Sequence, residues 1–281
     1  MDSLVSTDWL AAELGASDLR VVDATYVLAS DQRTPAAEYE AAHIPGAVFM
    51  DLGEIVDPGA SLPMMLPSPE KFASRMQSLG LGDGSRIVLY DNSPYKSAAR
   101  AWWMLSQVFG AHGVAILDGG LAKWKAEGRP LESGKPAIRH RHFTVWKNEK
   151  VVRSKAQILA NLDSGAEQLM DARGPARFTG EEGDPRPHVA KGHIPGSLNL
   201  PYGQMFNTDG SWKRGTELRR AFESAGIDLS RPLVATCGSG LTAASLVFGA
   251  HLLGKEDVAL YDGSWSDWGS DPDTPKATGA G

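Results

Sequence analysis

His43-Ile44-Pro45-Gly46 returns as His193-Ile194-Pro195-Gly196, 150 positions later. Other blocks recur around this pair in the same order. Val22-Asp23-Ala24 answers to Met170-Asp171-Ala172 at a spacing of 148, and Ile87-Val88-Leu89-Tyr90-Asp91 to Leu233-Val234-Ala235-Thr236-Cys237 at 146. Asp118-Gly119 with Trp124, and Asp262-Gly263 with Trp268, close the series at 144. Four matched blocks with a slowly drifting spacing mark an internal duplication. The length of 281 residues suits two ordinary domains.

Each copy alternates two kinds of pattern. Short apolar runs, bounded by Gly, Asp or Ser, read as strands buried on both faces. They are Leu19–Val22, Arg86–Tyr90 and Val114–Leu117 in the first copy, then Leu169-Met170, Pro232–Ala235 and Val258–Tyr261 in the second. Between them Pro69–Leu79, Ser97–Val108, Ser154–Leu162, Glu217–Ala225 and Leu241–Leu253 carry apolar residues at helical spacing. The expected fold class is α/β, with two tandem domains that are each a mainly parallel sheet flanked by helices on both faces. The expected boundaries are 1–135 for the first domain, 136–150 for a polar connector and 151–281 for the second. Arg139-His140-Arg141-His142 in the connector reads as a solvated face rather than a phosphate-binding patch, and the tail after Trp268 as loosely ordered.

The charge balance of 28 basic against 34 acidic residues, a net of −6, argues against nucleic acid or an anionic membrane as the main partner. No apolar run approaches the ~18 residues of a membrane span, and the N-terminus lacks the pattern of a secretory signal. A cytoplasmic protein is expected. One cysteine, Cys237, excludes an internal disulfide framework, a Cys-x-x-Cys pair and a Cys-rich zinc site. No metal or organic cofactor is implied.

Cys237 ends an expected strand and precedes an expected helix, the position where open parallel sheets bind ligands. The loop between is Gly238-Ser239-Gly240-Leu241-Thr242. Its two glycines let consecutive N–H groups turn toward the sulfur, and the following helix adds the positive end of its dipole. Both effects favour a thiolate and would cradle a charged atom attached to it. A buried, inert cysteine is the alternative for a cysteine taken at random. A cysteine phosphatase is disfavoured because the loop has no basic residue to neutralise a phosphoryl group. In the first copy Asp91 takes the cysteine's position and Pro94 removes one N–H, so that copy is expected to be non-catalytic.

The duplication, the two His-Ile-Pro-Gly blocks, Cys237-Gly238-Ser239-Gly240-Leu241-Thr242-Ala243 and Tyr261-Asp262-Gly263-Ser264-Trp265 together resemble the tandem-domain rhodanese-type sulfurtransferases. The likeness runs from about Leu4 to Trp268. The neutral loop resembles the 3-mercaptopyruvate branch, whereas thiosulfate-using members carry basic residues at the positions of Gly238 and Ser239. The resemblance implies that Arg177 and Arg186 bind the donor, with the first domain forming one wall of a cleft. It also implies a proton relay of His43 with Ser239, oriented by Asp31. The residues themselves leave other readings open. The arginines could pair with Glu181, Glu182 or Asp184. Both His43 and His193 could serve only to stabilise their turns. Arg100 could reach the substrate or merely cover Trp102 and Trp103. Arg173 is expected to brace the site, and Trp265 and Trp268 to pack the core.

The function expected from this reading is sulfur transfer from 3-mercaptopyruvate through a Cys237 persulfide, releasing pyruvate. The acceptor would be a thiol, such as that of thioredoxin, or cyanide. Gly238, Gly240, Leu241 and Thr242 would hold the transferred sulfur. The alternatives are a thiosulfate:cyanide sulfurtransferase and, from another class, a sulfur-carrier or redox-responsive binding module without turnover.

Overall fold

A computed structural model describes residues 1–280. The first repeat contains β1 (Leu4–Val5), α1 (Thr7–Glu13), β2 (Leu19–Asp23), α2 (Pro35–Ala41) and β3 (Val48–Phe49). It continues with α3 (Pro69–Ser78), β4 (Arg86–Tyr90), α4 (Ala98–Trp102), β5 (Val114–Leu117) and α5 (Gly120–Ala126). All strand pairs are parallel, in the order β1-β5-β4-β2-β3.

The second repeat contains β6 (Val152–Arg153), α6 (Lys155–Ser164), β7 (Gln168–Asp171), α7 (Pro175–Thr179) and β8 (Leu198–Asn199). Then come α8 (Gly215–Ser224), β9 (Leu233–Thr236), α9 (Ala243–Leu252), β10 (Val258–Tyr261) and α10 (Ser264–Trp268). Its sheet is again parallel, ordered β6-β10-β9-β7-β8, which is the first order translated strand for strand.

Local chemistry accounts for the element ends. Ser6 and Ser68 accept N–H bonds from Trp9 and Lys71 at the starts of α1 and α3, and Pro69 opens the latter with its φ already helical. Ser154 and Gln157 form a reciprocal cap on α6, which Gly165 ends in a left-handed turn at φ 58°. The central strands β4 and β9 are buried along their apolar lengths. Each fully buried Val or Leu contributes about 1.5–3 kcal/mol, so the residue following β9 is anchored by a rigid strand. Helix α9 is buried from Ala243 to Ala250 and is therefore apolar all round.

Contacts divide the chain into two compact units. The first comprises Met1–Asp57, Leu66–Asn148 and Asn207–Trp212; the second comprises Pro58–Met65, Glu149–Phe206 and the chain from Lys213 onward. Residues 139–142 are exposed, but the chain beyond them lies on the first unit. Thr144 donates its N–H and hydroxyl to Asp83, Phe143 is buried beside Phe72, and Trp146 N–H bonds Phe109 O.

The tail after Trp268 corrects the expectation of loose order. Trp268 Nε1 donates to Pro275 O at 2.7 Å, Thr274 is buried, and His193 and Ala277 exchange backbone bonds at 2.9 Å. The first repeat has the same closure: Trp124 Nε1 donates to Pro130 O, and His43 exchanges bonds with Glu132. The tail is thus the last piece of the second repeat. Gly192, at φ 101°, makes room for it, because a Cβ there would stand 2.1 Å from Ala277 O.

Candidate active site

Cys237 follows β9 directly and is 2% exposed. Its backbone is fixed on both sides. Its N–H donates to Ser264 Oγ at 3.2 Å, and its carbonyl accepts the Trp265 N–H at 3.0 Å. The Gly238 carbonyl accepts the Ser266 N–H at 2.9 Å and the Ser266 hydroxyl at 2.5 Å. The start of α10 therefore holds the cysteine loop through its backbone, leaving the loop side chains uncommitted to that task. Gly240 turns the chain at φ 75°, Leu241 is buried, Ser239 is half-buried, and Thr242 precedes α9 without capping it.

Ser264 achieves this at a cost, since it is a non-glycine residue at φ 50°. The left-handed region costs an L-residue roughly 1–2 kcal/mol. Its counterpart in the first repeat is Gly120, at φ 57°. A serine there would bring its Cβ within 2.6 Å of Asp91 O. Strain accepted at Ser264 yields the hydroxyl that fixes Cys237, since Ser264 also donates to Tyr261 O at 2.7 Å.

Arg177 and Arg186 come together beside this loop. A Cβ on Gly238 would lie 3.6 and 3.9 Å from the two Nη atoms of Arg177, and Arg186 Nη2 reaches Gly238 O at 3.4 Å. Both guanidiniums share one buried carboxylate, Asp184. Arg177 Nη2 donates to its Oδ2 at 2.5 Å; Arg186 donates through Nε to Oδ1 at 2.7 Å and through Nη2 to Oδ2 at 3.0 Å. Arg186 Nη1 also donates to Ser266 Oγ. The pairing with Asp184 and the approach to the cysteine loop at Gly238 thus occur together. Burial pushes the Asp184 carboxyl up, but Arg186 and Arg177 outweigh it and hold it below the usual range. The two arginine side chains keep 26% and 30% exposure, and Arg177 Nε has no hydrogen-bond partner among the described residues. Two cations on one anion leave a net positive charge beside Gly238, a setting that suits a carboxylate ligand.

Arg173 braces the site as expected. It donates to Asp171 through Nε and Nη2, reaches Gly192 O at 2.8 Å and lies 4.6 Å from the Trp265 ring centre. Trp265 and Trp268 are buried in the core of the second unit.

The relay residues of the first repeat are not assembled as expected. His43 is 1% exposed, stacked on Tyr39, with Nδ1 2.7 Å from Tyr39 O. His193 does the same against Phe178, with its Nδ1 2.8 Å from Phe178 O. Each imidazole thus makes the same backbone contact through Nδ1 in its own repeat. Asp31 accepts from Leu28 N–H and the Tyr95 hydroxyl rather than from His43. Arg100 is fully buried in α4 with its guanidinium 4.6 Å from the Trp103 ring centre, the ring-covering arrangement that is the other reading of this residue.

Asp91, in the cysteine's place, accepts N–H bonds from Ser93 at 3.0 Å and from Ala98 at 2.8 Å. The loop of the first repeat thus aims amides at the side chain that ends its central strand. Sequence reading gave Asp184 only as one of three acids the arginines could pair with, and assigned no role to Ser264 or Ser266. Asp184 had a signal, an acid two positions before Arg186. Ser264 lay inside the Tyr261–Trp265 block with no role of its own, and Ser266 had no signal short of the contact between α10 and the cysteine loop.

A rhodanese-like domain model matches residues 6–127 and again 154–271. "Thiosulfate/3-mercaptopyruvate sulfurtransferase 1, mitochondrial" of Arabidopsis thaliana is 39% identical over 98% of this chain and 78% of its own. The 3-mercaptopyruvate sulfurtransferase of Rattus norvegicus is 40% identical over 95% of this chain and 91% of its own. Among solved structures, the crystal structure of the Escherichia coli 3-mercaptopyruvate sulfurtransferase superposes with a TM-score of 0.86 at 37% identity. That match covers 94% of this chain and 99% of the other.

Proposed function

Since the chain belongs to the rhodanese-like family, with two such domains in tandem, we propose that it transfers sulfur from 3-mercaptopyruvate through a persulfide on Cys237. The observation that carries the reading is the pair Arg177 and Arg186, set beside Gly238 on one buried carboxylate. They hold the donor's carboxylate and keto oxygen, leaving its thiol sulfur for Cys237. The thiolate attacks that sulfur, a sulfur–sulfur bond forms, and the carbon–sulfur bond breaks with its electron pair on carbon. Pyruvate leaves as its enolate and takes a proton at carbon, delivered from solvent or through the Ser239 hydroxyl.

The persulfide that remains is held by main-chain amides of Gly238 to Thr242. Support comes from the first repeat, where the loop N–H of Ser93 and the first N–H of α4, from Ala98, are directed at the Asp91 carboxylate. A thiol, such as that of thioredoxin, or cyanide then attacks the outer sulfur and regenerates the Cys237 thiolate. Cys237 is the chain's one cysteine, so resolution requires an external nucleophile. A single free thiol suits the reducing cytoplasm as the place of work. Among the described residues, no helix is long and apolar enough to cross a membrane.

Thiosulfate is the second donor reading, favoured by the double name of the Arabidopsis relative. The uncharged loop argues for mercaptopyruvate, because thiosulfate brings an anionic sulfonate close to the attacked sulfur. Parallel assays of pyruvate release from mercaptopyruvate and thiocyanate formation from thiosulfate test the choice. The proposal expects kcat/KM to favour mercaptopyruvate, and a preference for thiosulfate overturns it.

A further inference from the structure

The two repeats treat one buried aspartate differently. In the second, Asp171 accepts the Arg173 N–H at 3.0 Å and the Arg173 guanidinium at 2.6 and 3.0 Å. That guanidinium also donates to Gly192 O and stacks on Trp265. In the first repeat Asp23 holds the same post and accepts the Thr25 N–H at 2.9 Å. The guanidinium is absent because Thr25 stands where Arg173 does, 148 positions on. Leu121 likewise replaces Trp265: its N–H bonds Asp91 O just as the Trp265 N–H bonds Cys237 O. Two large side chains are thus exchanged for small ones around a shared framework.

What results is a cavity of about 490 Å³, lined by Asp23, Thr25, Leu121, Asn92 and Ala42, the counterpart of Gly192. This volume lies within the ~300–1,000 Å³ of small-molecule sites. Asp23 is 2% exposed, and burial raises its carboxyl above the ordinary value despite hydrogen bonds from Thr25 and Tyr90. A buried carboxylate in such a setting calls for a cation. The same cavity is lined by Lys125 and by Arg33. Arg33 is committed to Glu38 and to Asn92 O, so Glu38 does not compete for an incoming cation. Lys125 is exposed and makes no close ion pair among the described residues; its charge acts at longer range on Glu38, and its ammonium can receive an anion.

We propose that this cavity binds a small guanidino acid, its guanidinium on Asp23 where the twin repeat places Arg173 and its carboxylate toward Lys125. The site is independent of the sulfur chemistry, and its test does not read sulfur transfer. Calorimetric titration of the full chain uses L-arginine as the probe, with L-citrulline, which lacks the cation, and agmatine, which lacks the carboxylate. The expected result is one site with a Kd of about 1 mM or tighter, and about tenfold or greater weakening for each analogue. Thr25→Arg supplies the twin's guanidinium from within and should abolish arginine binding while raising Tm. Leu121→Trp, restoring the indole, is a second blocking variant, and Lys125→Ala should bring arginine down to the affinity of agmatine. No binding by the wild-type chain, equal binding of arginine and citrulline, or undiminished binding in folded Thr25→Arg would each overturn the proposal.

Discussion

Ser264 is the residue whose behaviour separates stability from activity. Its backbone sits at φ 50° and its hydroxyl receives the Cys237 N–H. Ser264→Gly should relieve about 1–2 kcal/mol of strain but leave the buried Cys237 N–H without its acceptor at about 1–3 kcal/mol, so net stability should change little. The same change frees the cysteine backbone, so kcat should fall about tenfold or more. Denaturant melts and single-turnover rates on one preparation check this; a variant that loses stability and keeps its rate contradicts it. Asp184 acts through the arginines it holds. Asp184→Asn should leave Cys237 able to react with small alkylating probes. Its kcat/KM for mercaptopyruvate should drop by about a hundredfold, mostly in KM, because misplaced guanidiniums bind the carboxylate poorly. A variant with unchanged KM would remove the clamp from the account. Both residues mark where sequence legibility stopped. Cys237 and the arginines carry chemistry in their identity, whereas folding alone selects Asp184 from the three nearby acids and gives Ser264 its task.

At the level of elements, the loops after β4 and β9 are variants of one device. The first encloses a carboxylate, and burial raises Asp91 above its ordinary value of 3.8 against the pull of the Ala98 and Ser93 amides and of Lys96. A carboxyl whose folded pKa is raised stabilises most below its unfolded value, and that contribution is lost as pH rises through the folded value. Asp91→Asn removes the dependence. The variant's stability relative to wild type should therefore improve from pH ~4 to pH ~7. Urea unfolding at the two pH values measures it, and a constant difference would refute the assignment. The tail is an element too. Cutting the chain after Ser270 strips the Trp268 indole and the His193 N–H of their acceptors, at about 1–3 kcal/mol for each buried donor left unpaired. Thermal unfolding should show the loss, and an unchanged Tm would mean the tail closes nothing. Its polar, Pro-containing sequence resembled a frayed end because the partners that order it, Trp268 and His193, lie in other elements.

For the whole molecule, duplication is the organising fact. Six strands and five helices could be read from periodicity because each is long or apolar enough to show a pattern. The two-residue strands β1, β3, β6 and β8 could not, since sheet pairing alone defines them. The strand order repeats in full, yet the two copies have diverged at matched positions: Asp91 against Cys237, Thr25 against Arg173, Leu121 against Trp265. These exchanges assign sulfur chemistry to the second copy and leave a cavity in the first. His43 and His193 keep the same ring contact in both repeats, each Nδ1 lying on a backbone carbonyl of its own repeat. The central claim is that Cys237 carries the transferred sulfur. Intact-mass measurement of the full chain after incubation with 3-mercaptopyruvate tests it most directly. The account predicts a gain of one sulfur atom that a thiol removes and that Cys237→Ser never acquires; a gain retained in that variant, or no gain alongside continued pyruvate release, would contradict it.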